Sequence, residues 1–265
     1  MFCMNLDLID RLKKKMAMMR KTTTLKLMAA ALASIFICSA QSCKDSGREN
    51  INAYYPNAIV TIKPVDGGNP SFYMQLDDST TLIAENMSQS PFGTKEVRAL
   101  AAIEMTGHDA GQYDSTVYVY AIDSILTKNT VPFTDSVSAD TEYGTDPADM
   151  IMAVVEDGYL TLRVRVVSGT HGTVHRLSLL TGINPDDPYE VEFRHRAEGP
   201  SAGDVFQPSY VLGDAFVAFR LDSLPDTKGS TVGMKLKWDS FNGEQEVVLD
   251  YRTRSSSSGE ETQLK

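Results

Sequence analysis

From residue 58 onward the chain alternates apolar and polar positions with a period of two, the pattern of half-buried β-strands. Ala58 to Lys63 forms a first short run, stopped by Pro64 and the turn cluster Asp66-Gly67-Gly68-Asn69-Pro70. Phe72, Met74 and Leu76 face one way, Asp77-Asp78-Ser79 turns the chain, and Thr80 to Ala84 returns. Val97, Ala99, Ala101, Ile103 and Met105 alternate with Arg98, Leu100, Ala102, Glu104 and Thr106, which favours a long strand over an alanine-rich helix. In a fifth run Val117, Val119 and Ala121 alternate with Tyr118 and Tyr120. Five strands in about 70 residues suit a small Greek-key barrel of the OB type, placed at residues 58–130.

The alternation stops in the polar, acidic stretch 131–149, which carries Pro132 and Pro147 and reads as a linker. It resumes at 150–252 with seven runs. Met150 to Val155 and Tyr159 to Val167 flank Asp157-Gly158, and Val232 to Trp238 and Glu244 to Arg252 flank Asn242-Gly243. Both dipeptides predict type I′ hairpin turns. Seven strands at this spacing predict an antiparallel β-sandwich. Residues 253–265 lack apolar anchors and are expected to form a disordered tail. The fold class is therefore all-β: a small barrel followed by a sandwich.

The first 45 residues read as a processing signal. Arg20, Lys21 and Lys26 precede an apolar run, Leu27 to Cys38, far short of the roughly 20 residues that span a bilayer. Ala40-Gln41-Ser42-Cys43 resembles a bacterial lipobox, with small residues at the third and first positions before a cysteine. Cleavage would remove residues 1–42 and leave Cys43 to carry lipid, followed by a flexible stalk through residue 57. The bulky Phe36 and Ile37 make Cys38 a poor competitor. Met16, Met18 and Met19 are candidate initiators downstream of Met1. The expected location is the cell envelope, as an outer-membrane lipoprotein on the periplasmic or external face.

Charge narrows the partners. The whole chain has 25 basic and 35 acidic residues; losing residues 1–42 removes seven and two, leaving a charge of −15. Such a body repels nucleic acid, whose affinity for proteins rests on cationic side chains. Its membrane contact would come from the acyl anchor, and its further partners would be an envelope protein or glycan. All three cysteines lie at positions 3, 38 and 43, which excludes a disulfide framework, a cysteine zinc site and a thiol nucleophile in the globular part.

Several segments, in order, are similar to the NigD-like lipoproteins of Bacteroidetes. They are Val60-Thr61-Ile62-Lys63-Pro64, Tyr73-Met74-Gln75-Leu76-Asp77-Asp78 with Thr80-Thr81-Leu82, Ile125-Leu126-Thr127-Lys128 and Tyr143-Gly144-Thr145-Asp146-Pro147. Val191-Glu192-Phe193-Arg194-His195 and Ala215-Phe216-Val217-Ala218-Phe219 complete the set. The resemblance implies an N-terminal OB-like domain, a C-terminal β-sandwich and no established enzyme chemistry. The family's name reflects a loose association with bacteriocin production. Ser79 stands where that pattern more often has a turn glycine.

No catalytic constellation emerges, and neither a cofactor nor a metal is expected. His171 and His175 have helical metal-site spacing, but on a strand four residues span about 13 Å, too far to share one ion. They read as incidental surface and turn histidines. Alternation sets Glu192 and Arg194 on one face and Phe193 and His195 on the other, so Glu192 and His195 cannot act together and the charged pair reads as a cross-strand surface contact. Asp77-Asp78, Asp186-Asp187 and Glu260-Glu261 fall in turns or the tail. There is no GxSxG elbow, P-loop or calcium loop. Tyr118 and Tyr120 share one face of the fifth strand, and OB barrels stack ligands on such rings. The two rings are nonetheless expected to pack against the second domain. A non-catalytic binding or assembly module is the leading functional reading. The alternative is an envelope carbohydrate-active hydrolase that uses surface carboxylates and needs two of them about 5 to 10 Å apart in a cleft.

Overall fold

The computed structural model describes residues 55–65, 71–168, 173–199 and 211–254. The leader, Cys43, most of the stalk, the first turn cluster, His171 and the tail lie outside the described residues.

Five strands close into a barrel: β1 (Ala58–Pro64), β2 (Phe72–Gln75), β3 (Thr81–Ala84), β4 (Val97–Met105) and β5 (Ser115–Ser124), in the order β1-β2-β3-β5-β4. The inward positions are those the alternation marks. Val60, Ile62, Met74, Leu82, Ala99, Ala101 and Val117 are fully buried, and the alanines of β4 suit the narrow interior. At the β2–β3 turn the Asp77 carboxylate accepts the backbone N–H of Ser79 at 2.8 Å and of Thr80 at 2.7 Å. That side-chain cap stabilises the turn without a left-handed residue, which explains how serine replaces glycine there.

Among the described residues the sandwich has nine strands. One sheet runs β14-β13-β11-β10-β7 and the other β6-β12-β9-β8. Their ranges are β6 (Leu126–Asn129), β7 (Val131–Pro132), β8 (Asp149–Glu156), β9 (Tyr159–Ser168), β10 (Val174–Thr181), β11 (Glu190–Glu198), β12 (Val211–Arg220), β13 (Val232–Ser240) and β14 (Gly243–Tyr251). The core joins Leu160, Leu162 and Val164 of β9 to Val191 and Phe193 of β11, Val217 and Phe219 of β12, and Met234 and Leu236 of β13. The expected all-antiparallel sheets are in fact mixed, because β6–β12, β7–β10 and β11–β13 pair in parallel. Strands β6 and β7 are too short to alternate visibly, and they sit on edges where backbone pairing decides.

Residues 131–149 are likewise no free linker. After β7 comes a helix, α1 (Ser136–Tyr143), capped by the Asp135 carboxylate on the N–H of Ser138 at 2.9 Å. Only Ala139 of α1 is buried, and its serines and threonine favour caps over helix interiors. Gly144 ends the helix at φ 76°, and a Cβ there would lie 2.6 Å from the Arg196 Cβ and 2.7 Å from the His195 carbonyl oxygen. The helix thus stands on β11 through a contact only glycine permits.

Asp157 and Gly158, at φ 50° and 74°, form the type I′ turn that the sequence predicts between β8 and β9. Between β13 and β14 the prediction is corrected. Ser240 pairs with Gly243, the loop is Phe241-Asn242, and of the Asn242-Gly243 pair only Gly243 has a positive φ, 93°.

Barrel and sandwich fall in one compact unit. Ile125, Tyr159 and Ala218 are buried between them with Ile59, Leu100 and Phe216. At the centre stands Arg98 of β4, fully buried although alternation marks it as outward. Its guanidinium donates to Thr161 Oγ1 and Thr61 Oγ1 at 3.1 Å and to Glu156 Oε2 at 3.2 Å, and lies 5.8 Å from the Tyr159 ring centroid. The β8–β9 hairpin is held by Lys63 Nζ, 2.7 Å from Asp157 Oδ1, and by Asp78 Oδ1, which accepts the Asp157 N–H at 2.7 Å. Tyr159 Oη and Arg254 Nη1 both donate to Glu96 Oε1, at 2.6 and 2.7 Å.

Candidate functional site

On β5 the inward valines leave Tyr118 and Tyr120 outside, 43% and 38% exposed. Their ring centroids are 4.9 Å apart at an interplanar angle of 52°. The Tyr120 hydroxyl donates to Glu104 Oε2 at 2.5 Å, and Glu104 sits opposite Tyr118 on β4. Farther along the same outer surface, Glu85 Oε1 accepts from Thr106 Oγ1 at 2.7 Å and lies 2.6 Å from His108 Nδ1. The Thr106 bond, with His108 helping, holds the Glu85 carboxyl below its ordinary range.

This overturns the expected packing of the two rings on the sandwich. The register of β4 on β5 shifts between Ala102 and Ile103. Arg98 and Leu100 before that irregularity meet the sandwich, whereas Glu104 and its partner Tyr118 after it face away. The face around β2, where OB barrels commonly take ligands, is partly covered by the protein's own β8–β9 hairpin. Tyr73 on β2 stacks on Tyr113 with centroids 5.4 Å apart, and burial beside Asp157 pushes its hydroxyl pKa up.

A concavity with a volume of about 460 Å³ lies on the outer face of the sheet containing β11, β13 and β14 and reaches to α1. Alternation supplies its floor: Glu190, Glu192 and Arg194 from β11, Lys237 and Asp239 from β13, and Glu244 from β14, with Asp140 on α1 at one side. Glu190 takes Lys237 Nζ at 2.8 Å and Lys235 Nζ at 3.2 Å, and accepts Asn184 Nδ2 at 3.2 Å. Those contacts, led by Lys237, pull its pKa down to about 2. Arg194 bridges Glu192 Oε1 at 2.7 Å and Asp140 Oδ1 at 2.8 Å, tying helix to sheet. Burial pushes the Glu192 carboxyl up, Arg194 opposes it, and Asp239 and Glu244 add to the rise.

Glu192 and Arg194 do share a face, but they pair along one strand instead of across two. Glu190 and Glu192 lie about 7 Å apart by strand rise, inside the glycosidase window. The Glu190 side chain, however, is 6% exposed and bound by two lysines, so it is poorly placed to reach a sugar carbon. The arrangement is a pre-paired polar surface, suited to holding a ligand. Sequence alone gives the floor residues and misses the cleft, because its helical wall comes from the stretch that reads as a linker.

His175 is not an isolated surface residue. Its Nδ1 lies 2.9 Å from Nε2 of His195, which is buried, and burial lowers the pKa of both rings, favouring the neutral pair. Among the described residues no group of three or more histidine, cysteine, aspartate or glutamate side chains could hold a metal ion.

A closed five-stranded barrel of OB order joined through a buried arginine to a mixed sandwich defines a two-domain β-protein with no assembled catalytic group among the described residues. Family models give it a place: the NigD-like N-terminal OB domain matches residues 59–125 and the NigD-like C-terminal beta sandwich domain matches residues 129–251. The chain belongs to the NigD-like family. The second match begins at residue 129, so it takes in the stretch from β7 through α1.

Among solved structures, a protein described as toxin-related from Parabacteroides distasonis is 32% identical, with a TM-score of 0.57 over 74% of this chain and 92% of that one. A NigD-like immunity protein from Bacteroides caccae is 17% identical, with a TM-score of 0.51 over 74% and 96%. A protein of unknown function from Bacteroides vulgatus is 13% identical, with a TM-score of 0.59 over 74% and 90%. The last two are similar in fold. Comparison with curated proteins gives no match.

Proposed function

We propose that this protein is a non-catalytic binding module carried on the cell envelope by a lipid on Cys43. The observation that carries the binding role is the pair Tyr118 and Tyr120, held side by side on the barrel with about two-fifths of each residue exposed beside the Glu104 carboxylate. Aromatic faces next to a carboxylate suit a glycan or a protein partner of the envelope. Stacking contributes about 1 to 3 kcal/mol per contact. The lipobox at Ala40 to Cys43 supports the anchor, and among the described residues no helix is long and apolar enough to cross a membrane.

The test uses the chain from residue 44 on, immobilised and exposed to solubilised envelope. Tyr118→Ala with Tyr120→Ala should remove at least tenfold of the retained partner while leaving the melt nearly unchanged. Retention unaffected by both substitutions would sink the role given to the rings. For the anchor, Cys43→Ala in cells should abolish labelling by a fatty-acid analogue; labelling that persists would refute it. Turnover of a glycan by the purified chain, lost on a single carboxylate substitution, would replace the binding role with the hydrolase.

A further inference from the structure

We propose that the cleft bordered by α1 binds a short neutral oligosaccharide. This rests on reading the chain as a binding module but on residues separate from the tyrosine pair. At about 460 Å³ the cavity falls in the range of small-molecule sites. Its wall chemistry selects the ligand class. Carboxylates from Asp140, Glu192, Asp239 and Glu244 line it together with the cations of Arg194 and Lys237. An anion would meet the excess of carboxylates, and a cation filling the cavity would meet Arg194 and Lys237. A sugar hydroxyl both donates and accepts, so a neutral polyol satisfies both signs without breaking the ion pairs. Phe133 adds aromatic surface for the apolar face of a sugar ring.

Two further features point the same way. Asp239 and Glu244 are directly paired across β13 and β14, an arrangement of like charges that normally costs stability. Neither carboxylate takes an ion-pair or hydrogen-bond partner among the described residues, so both keep acceptor capacity for hydroxyls. Arg194, meanwhile, ties α1 to the floor before any ligand arrives, which lowers the ordering cost of binding.

Trp238 is the single tryptophan of the chain and stands on β13 between the floor residues Lys237 and Asp239, packed on the core side directly beneath the cleft, so intrinsic fluorescence reports on this site. The chain from residue 44 on is titrated with short cello-, manno- and N-acetylchito-oligosaccharides, and separately with tetralysine. The expected result is a saturable fluorescence change with at least one neutral oligosaccharide, insensitive to about 0.5 M NaCl. Asp239→Ala and Glu244→Ala should each weaken it about tenfold or more, and Tyr118→Ala with Tyr120→Ala should leave it unchanged. No saturable change with any oligosaccharide up to about 10 mM overturns the proposal. So does a response to tetralysine alone that salt removes, which would mark a cation site. Oligosaccharide binding retained in both carboxylate variants overturns the location. Because the tyrosine variants are read separately, failure here and failure of the barrel surface are distinguishable.

Discussion

Replacing Arg98 with methionine keeps most of the side-chain volume and removes the charge at the centre of the domain interface. The guanidinium is fully buried and makes three hydrogen bonds, one of them to the Glu156 carboxylate, over the face of Tyr159. Removing one partner of a buried pair costs about 3 to 5 kcal/mol. The low end applies here. Burial already pushes the Glu156 carboxyl up to about 7, with Arg98 the main opposing pull, so without Arg98 the carboxyl takes up a proton near neutrality and escapes part of the penalty. We expect a loss of about 3 kcal/mol for Arg98→Met and no more than about half of that for Arg98→Met with Glu156→Leu, since swapping both partners for apolar groups is far cheaper.

Urea denaturation followed by two probes tests this. Trp238 lies in the sandwich and reports that domain, whereas far-ultraviolet circular dichroism reports both. Arg98→Met should make the dichroism transition begin at lower urea than the fluorescence transition, because the small barrel loses its main polar tie to the sandwich. Coincident curves with a loss below about 1 kcal/mol, or a double variant whose cost equals the sum of the singles, would refute the reasoning.

Other expectations follow from single sites. Glu190, held down to about 2 by Lys237 and its companions, takes up its proton less readily folded than unfolded. Its stabilisation is complete above the ordinary carboxylate range and is lost as pH falls from about 4.5 toward 2. The urea stability of the parent should therefore drop on the order of 2 kcal/mol more than that of Glu190→Gln between about pH 6 and 3. Gly144→Ala, which forces a Cβ into Arg196 and the His195 carbonyl, should cost about 2 to 4 kcal/mol and expose the α1 segment to proteolysis. Tyr118→Ala with Tyr120→Ala should cost no more than about 2 kcal/mol in the same urea assay, as befits half-exposed rings. Neither EDTA nor reductant should move the melting temperature of the chain from residue 44 on, since it contains no cysteine and, among its described residues, no metal-ligand cluster.

The barrel was legible because each of its strands buries one face, so Val60, Ile62, Met74 and Val117 appear at every second position. Arg98 was misread for the same reason. Period two separates the faces of a strand, but it cannot say that the second face is covered by another domain. The tyrosines failed in the opposite direction: alternation marks their face as outward but cannot say that the second domain leaves it exposed. Helix α1 was missed because several of its residues are poor helix formers, held by one side-chain cap and by contacts from Arg194 and Arg196 of a distant strand. With it went the cleft, whose floor of Glu190, Glu192, Arg194 and Lys237 was visible only as charged positions on strands.

The grip of the barrel on Asp157 bears on how the two domains can be inherited. Lys63 on β1 and Asp78 after β2 hold a hairpin that belongs to the other half of the gene product, and Arg98 spans the same seam. A recombination that exchanged one half between relatives would bring together a hairpin and a receiving surface that had not changed in step, stranding a buried arginine or aspartate without its counter-charge. Chimeras cut between residues 125 and 129 should therefore fold poorly unless these contact residues are transferred together. The outer surface of β5 carries no such obligation, and substitutions there can accumulate without disturbing the seam.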